Sequence, residues 1–507
     1  MNILFITADQ WRGDSTGYAG HKLVKTPNLD ALAADSVAFL NHYSQAAPCS
    51  PSRACLYTGL YQMNNRVCRN GSPLSDRFDN LARAARRVGY DPTLFGYTDQ
   101  SPDPAVHAPN DPELTTYEGI LPGFSVRVKM QDHRKPWLAW LRDRGLDFDN
   151  EAEAHLPVGA APDDFTNAPP GYDKDQTETA FVAGEFIRWL GERQGEKRPW
   201  FAHVSFIRPH PPFIVPAPYN TMVDPAEVDG FARAATPGAE GEQHPLLDYL
   251  LNHAGAKSFV PGATGLVRDL DEHAFRQIKA TYYGMISEVD AQLGRLFDAV
   301  KATGAWDDTL IVFTSDHGEM LGDHYGLGKG GYFDGSQHVP LIVRDPKGSA
   351  RGVRVETFTE AVDVMPTILE RLGVAPQNHV DGHSLTEYLD GGAPAEPREE
   401  VHWEFDFREV ATQRAENWFG LPSTKLSMAA IRSDKWKYVH FAGLPPLLFD
   451  LENDPGNLTN LADDPAFAGV RLEMAEKLLS WRAEHLDQTL ALKQLTADGV
   501  VTAPALR

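Results

Sequence analysis

Residues 1–10, MNILFITADQ, open on an apolar run that stops at an acid and an amide, Asp9 and Gln10. Residues 309–319, TLIVFTSDHGE, repeat the arrangement, with Asp316 and His317 just after the run. A continuous apolar run of this length, without the alternation of a half-buried strand, is how a strand covered on both faces reads. Similar runs occupy residues 93–96, 200–206 and 341–343, and helix-period segments lie between them. At 26–39, TPNLDALAADSVAF offers Thr26 as an N-cap, Pro27 at the first helical position, and Leu29, Leu32 and Ala33 on one face. At 79–92, DNLARAARRVGYDP runs toward Gly89 as a C-terminal cap, with Pro92 beyond. From 275 to 300 the apolar residues Ile278, Tyr282, Met285, Val289, Leu293 and Leu296 recur at three and four. Strands alternating with helices predict an α/β fold built on a large, mostly parallel sheet flanked by helices.

The predicted α/β domain spans residues 1–398. Two stretches near 101–175 and 207–265 are rich in Pro, Gly, Asp and His with weak periodicity, and are expected as loop-rich insertions that act as lids or binding loops. Around residue 400 the texture changes to short strands such as LSMAAIRS and KWKYVHF, then a turn-rich segment and a helix over 470–485. Residues 399–486 are expected to form a smaller α+β domain, and 487–507 an extended C-terminal arm.

The chain has 507 residues and a formal net charge of −23. An acidic surface of that size disfavours nucleic acid and anionic lipid as partners, while a small anionic substrate would need a local positive pocket. The three cysteines, Cys49, Cys55 and Cys68, do not suggest a disulfide framework, and no zinc-type spacing accompanies them. Without a basic leader or a long apolar run, the expected location is the cytoplasm, away from membranes.

Ligands of open α/β sheets bind at the carboxyl ends of the strands. There the sequence puts Asp9 and Gln10, then Asp316 and His317, with Tyr97 and Asp99 in TLFGYTDQ and His210 in WFAHVSFIRPHPPF. Each alone reads equally as a turn former or a helix cap. Together Asp9, Gln10, Asp316 and His317 make an oxygen-rich set with one imidazole, which suits a hard divalent cation such as Ca²⁺, Mg²⁺ or Mn²⁺, the imidazole favouring Mn²⁺.

Cys49-Ser50-Pro51-Ser52-Arg53 lies at a helix entrance, where free N–H groups and the helix dipole favour an anion. The pattern Cys-x-Pro-x-Arg resembles the recognition sequence by which sulfatases have a cysteine converted to formylglycine. CSPSRACLYTG, NILFITADQWRGD, KTPNLDALA, FTSDHGEMLGDH, AVDVMPTILERLG and FDLENDPGNLTNLADDP are all similar to sulfatase segments of the alkaline phosphatase superfamily. Within it, DQW, GLYQMNNR, GYDPTLFGYT, RPHPPF, VHWEFDFRE and KYVHFAGLPPLLFDL most resemble the phosphonate monoester hydrolases and related arylsulfatases.

The resemblance implies one divalent ion, Mn²⁺ or Ca²⁺, held by Asp9, Gln10, Asp316, His317 and the modified Cys49. It implies that Arg53 holds the formylglycine hydrate, and that Asn70, Tyr97, His210 and Lys329 line the substrate pocket. His210 and Lys329 are then candidates to protonate the leaving oxygen. One hydroxyl of the hydrate attacks sulfur or phosphorus, and loss of a proton from the other expels the bound group by C–O cleavage. The implied partners are a small anionic ester and a formylglycine-generating enzyme, in a homodimer or homotetramer.

The leading expectation is an arylsulfatase-type hydrolase of sulfate monoesters. The alternative is a phosphonate monoester hydrolase and phosphodiesterase with the same machinery. Ser50 and Ser52 resemble the sulfatases. Gln10, where most sulfatases carry a second Asp, resembles the phosphonate hydrolases. Asp99 stands where those hydrolases usually have Thr, and puts an extra carboxylate beside an anionic substrate.

Overall fold

The computed structural model describes residues 1–131, 133–377 and 379–502. Strands β1 (Asn2–Ala8), β2 (Val37–Phe39), β3 (Pro92–Gly96), β4 (Ser125–Lys129), β5 (Phe201–Phe206), β6 (Thr309–Thr314), β7 (Leu341–Arg344) and β8 (Val353–Val355) form one sheet in the order β8-β2-β7-β6-β1-β5-β3-β4. β1 lies inside the sheet, parallel to both β5 and β6. Only β7 runs against its neighbours, antiparallel to β2 and β6. The remaining ladders are parallel, so the sheet is mixed but mostly parallel, as the apolar runs predict.

Both faces are covered, which is why the strands carry no polar alternation. Leu4 and Ile6 of β1, with Val204, Ile311 and Phe313, pack on one face against α1 (Pro27–Ala34), α4 (Glu178–Glu192) and α5 (Glu272–Ala302). Ile3 and Phe5, with Phe201, Leu310 and Val312, pack on the other against α2 (Cys49–Thr58), α3 (Leu81–Arg87) and α6 (Val364–Leu372). The periodic residues of α5, Ile278 through Leu296, are all buried. The start of α1 is where Thr26 predicts it, yet the capping acceptor is Asp290 of α5, which takes the N–H groups of Asn28 and Leu29 at 3.1 and 2.8 Å.

β4 lies within the segment expected to be loop-rich, which also holds a helix at Lys135–Arg142. As an edge strand with an exposed middle, β4 offers no apolar run to read.

The C-terminal region forms an antiparallel sheet of β9 (Glu400–Asp406), β10 (Ser427–Ser433), β11 (Trp436–Phe441) and β12 (Leu447–Asp450), packed by Met474, Leu478 and Trp481 of α7 (Ala468–Glu484). Ala46–Ala47 adds to β9 as a parallel fifth strand, so the residues just before Cys49 are stitched into this second sheet. In the segment expected as an arm, Lys493–Thr496 and Gly499–Thr502 pair as an exposed hairpin. Its last residues, 503–507, lie outside the described residues. Among the described residues no helix is long and apolar enough to cross a membrane.

The ends of β1, β3, β5 and β6 lie at one edge of the sheet, and Gly96 is a tight packing point there. It sits at φ +121°, and a Cβ would stand 2.1 Å from the Ser205 carbonyl oxygen on β5. Gly96→Ala is expected to cost about 1–3 kcal/mol through this clash and the left-handed backbone, and to disturb Tyr97 next to it. Thermal unfolding and turnover check this; an unchanged melting temperature would refute the constraint.

Candidate active site

Cys49 is the first residue of α2, with Pro48 just before the helix and Gly59 closing it at φ +67°. Pro51 fits in the first turn because its missing N–H would have no intrahelical partner there. The helix therefore starts at Cys49, ahead of the proline. Asn70 Oδ1 accepts the Ser50 N–H at 3.0 Å, satisfying one of the free donors at the helix start. That leaves the Asn70 NH₂ as a donor in the cavity it lines.

Three side chains expected at the strand ends converge here with Cys49 of the helix entrance. One ligand atom each of Asp9, Cys49, Asp316 and His317 lies within 4.8 Å of the others, and all four residues are buried. His317 Nε2 is 3.3 Å from Cys49 Sγ and 3.6 Å from Asp9 Oδ1. Its other nitrogen, Nδ1, donates to the Gly318 carbonyl at 3.0 Å, which leaves Nε2 with the lone pair facing this group. Asp9 Oδ1 is buried without a hydrogen-bond partner among the described residues. Oxygen ligands about 2.4 Å from one ion stand at most about 4.8 Å apart. The orphaned oxygen, the free imidazole nitrogen and the mutual spacing all fit a divalent cation.

Gln10 stands beside this set at φ +67°. Its Oε1 accepts from Lys329 Nζ at 2.6 Å, and its Nε2 donates to Glu319. An amide oxygen has two lone pairs, so the lysine leaves one for a metal. Glu319 also accepts the N–H groups of Leu321 and Gly328 at 2.9 and 2.6 Å, tying the Gly-rich loop of Lys329 to Gln10.

Arg53, expected to hold the nucleophile, is fully buried. Its Nε donates to Asp316 Oδ2 at 2.8 Å and its Nη2 to Asp9 Oδ2 at 3.2 Å. It donates as well to Tyr97 Oη at 3.0 Å and Ser205 Oγ at 3.0 Å, and at 3.4 Å to Tyr57 Oη and the Tyr97 carbonyl. The Tyr97 hydroxyl donates in turn to Asp9. Arg53 thus aims two candidate ligands and acts through them.

Electrostatics sorts the protonation states. Burial pushes the Cys49 thiol well above its ordinary value, with Asp9 adding to the effect. Burial alone would raise Asp9, but Arg53, His317 and Lys329 outweigh it and hold the carboxylate low. For Lys329, burial is outweighed by Cys49, Asp9 and Asp316, so it stays a cation. His210 is pushed well below its ordinary value by burial and by Lys329. Its Nδ1–H donates to the Pro211 carbonyl at 2.7 Å, and Arg208 fixes the loop by donating to the carbonyls of His210 and Pro212 at 3.0 and 2.6 Å.

Two cavities meet at these groups. One, of about 470 Å³, is lined by Asp9, Cys49, Tyr97 and Asp99. The other, of about 650 Å³, is walled by Leu247, Tyr249, Phe259 and Phe333. Asn70, Tyr117, His210 and Lys329 line both. The motif serines line neither. Ser52 Oγ donates to the Asp316 carbonyl and contacts Ser44 Oγ at 2.9 Å, and Ser50 Oγ is buried. Sequence reasoning missed Glu319, although SDHGE displays it, and it missed Arg208, whose ion pair with Glu178 at 3.0 Å joins distant segments.

Residues 1–374 match the sulfatase family model, and residues 322–484 match the C-terminal model of N-sulphoglucosamine sulphohydrolase. The chain is 41% identical to the multifunctional alkaline phosphatase superfamily protein PehA of Trinickia caryophylli, over 99% of both chains. The solved structure of a phosphonate monoester hydrolase of Agrobacterium radiobacter is 58% identical, with a TM-score of 0.97 over 99% of both chains. That of a phosphonate monoester hydrolase from Silicibacter pomeroyi is 39% identical, with a TM-score of 0.94 over the full length of both. With a catalytic-type cluster at the strand ends and a family model covering most of the chain, this protein belongs to the sulfatase family of hydrolases, in the alkaline phosphatase superfamily.

Proposed function

We propose that this chain is a phosphonate monoester hydrolase and phosphodiesterase, with aryl sulfate hydrolysis as its second activity. The observation that carries this is the pair of cavities that share Asn70, Tyr117, His210 and Lys329, one of them also lined by Cys49. A sulfate monoester has one organic substituent on the transferred group; a phosphonate monoester or phosphodiester has two, one for each cavity. This reverses the order that the motif serines suggest, because those hydroxyls face the protein interior and read no substrate. Similarity to two phosphonate monoester hydrolases supports the same order. Sulfate follows from the shared single negative charge of both ester classes and from the sulfatase family match.

In this reading Asp9, Gln10, Asp316 and His317, with Cys49 as formylglycine, hold one Mn²⁺ or Ca²⁺. The ion and the hydrated aldehyde together supply charge neutralisation and a hydroxyl nucleophile that C–O cleavage can later release. The modification is made by a formylglycine-generating enzyme. Arg53 keeps the Asp9 and Asp316 carboxylates aimed and ionised. The Asn70 NH₂ donates to a non-bridging oxygen of the ester. Lys329, cationic and shared by both cavities, donates a proton to the leaving oxygen. His210 has its Nδ1–H tied to Pro211, so Nε2 is the acceptor nitrogen of a neutral ring. It takes the proton when the covalent ester breaks down.

Three outcomes are expected. Asp316→Asn keeps the shape of the side chain but removes a charged ligand, and elemental analysis should find the metal fall from about one ion per chain to a small fraction; wild-type content would remove Asp316 from the ligand set. With the same 4-nitrophenolate leaving group, kcat/KM for a phenylphosphonate monoester should exceed that for the sulfate by about tenfold or more, about 1.4 kcal/mol, with Cys49→Ala as the inactive blank. A tenfold advantage for sulfate would restore the opposite order. Lys329→Ala should cost about 10²–10³ in kcat for a phenyl ester and far less for a 4-nitrophenyl ester, whose leaving group needs no proton. An equal loss on both would exclude proton donation by Lys329.

A further inference from the structure

The cavity around Cys49 has a wall that the chemistry above does not use. Asp99 stands on it at φ +56°, in the loop after β3. Its side chain is 4% exposed, and among the described residues no donor or cation reaches its carboxylate within bonding distance. Burial pushes that carboxyl up to about 7, Arg53 opposing and Asp9 and Glu118 adding to the rise.

Glu118 and Glu151 line the same cavity. Arg134, on the same cavity, is already ion-paired, through Nη1 to Glu151 and through Nε to Glu178 at 2.6 Å. His133 stands 3.7 Å from Glu151. Among the described residues the wall thus sets the carboxylates of Glu118 and Glu151 around Asp99, which has no ion-pair partner of its own. A second anionic group on the substrate would be repelled there, and a plain alkyl group would leave Asp99 without a counter-ion.

We propose that this wall is a subsite for a cationic substituent: an alkylammonium carried on the transferred phosphonyl group, with Asp99 as its counter-ion. The proposal rests on the phosphonate reading above and deepens it. Asp99 and Cys49 line the same cavity, the one in which the transferred group would be bound. A short arm on phosphorus thus lies beside it. An ammonium there makes charge-assisted hydrogen bonds to a carboxylate that otherwise has none.

The test uses the metal-loaded, formylglycine-bearing enzyme at about pH 8, where a primary amine is still protonated. Calorimetry compares 2-aminoethylphosphonate with propylphosphonate, in which a methyl replaces the ammonium. The 4-nitrophenyl monoesters of the two are then compared as substrates. Wild-type protein should bind the amino compound at least about tenfold more tightly and prefer its ester in kcat/KM by a similar factor. Asp99→Asn, which keeps the shape and tolerates the left-handed backbone, should bring the two ligands within about threefold. Equal affinities in the wild type, no binding of either compound, or a preference that survives in Asp99→Asn each overturn the subsite. Tighter binding of the amino compound without turnover of either ester would uphold the subsite and refute the hydrolase reading.

Discussion

The site is organised by one buried guanidinium. Arg53, on the second turn of α2, reaches Asp9 beyond β1 and Asp316 beyond β6, and nothing of it is exposed. Removing one partner of such a group typically costs about 3–5 kcal/mol, because the remaining charge is stranded in a low dielectric. The three elements are therefore locked in one relation, and Cys49 at the entrance of α2 is delivered to the two carboxylates. Asp9 and Asp316 together balance Arg53 and Lys329. A divalent ion added to that balance leaves room for a mono-anionic ester and one further negative charge. That is the charge pattern of an ester under attack by an ionised hydroxyl.

How much of this the sequence disclosed depends on how local each signal is. β1 and β6 were legible because burial on both faces leaves their middles apolar and concentrates polarity at their ends. Asp9, Gln10, Asp316 and His317 were legible for the same reason. β4 was not, because an edge strand with solvent on its middle residues has no such contrast. The Thr26 start of α1 was visible, but its capping acceptor, Asp290, comes from 262 residues away. Arg208 and Glu178 support the His210 loop through an ion pair across distant segments, and no periodicity or motif encodes that pairing.

The motif serines show the limit of reading function from a short pattern. Ser50 and Ser52 lie in a stretch that resembles the sulfatase recognition sequence for cysteine modification. In the folded protein Ser52 is bonded to the Asp316 carbonyl and Ser44, out of reach of any substrate. Their resemblance therefore says little about sulfate against phosphonate. The residues that do bear on that choice, such as Tyr117, Tyr249 and Phe259, come from the insertions and the loops around them. In the sequence these were only Pro- and Gly-rich text.

The same electrostatics explains why a cysteine occupies this place at all. Burial and the neighbouring Asp9 and Asp316 drive the thiol toward its protonated form, so the site suppresses the nucleophile that cysteine would ordinarily supply. A thiol-based enzyme would surround the sulfur with cations; here two carboxylates and a lone imidazole nitrogen face it. That environment suits an oxygen nucleophile beside a divalent ion, where the carboxylates become ligands instead of repelling neighbours. Asp99 extends the logic outward. Once the inner carboxylates are matched by Arg53, Lys329 and a metal, it is the one buried carboxylate lining the cavity for which the described residues provide no direct partner, and the charge that completes it has to arrive with the substrate.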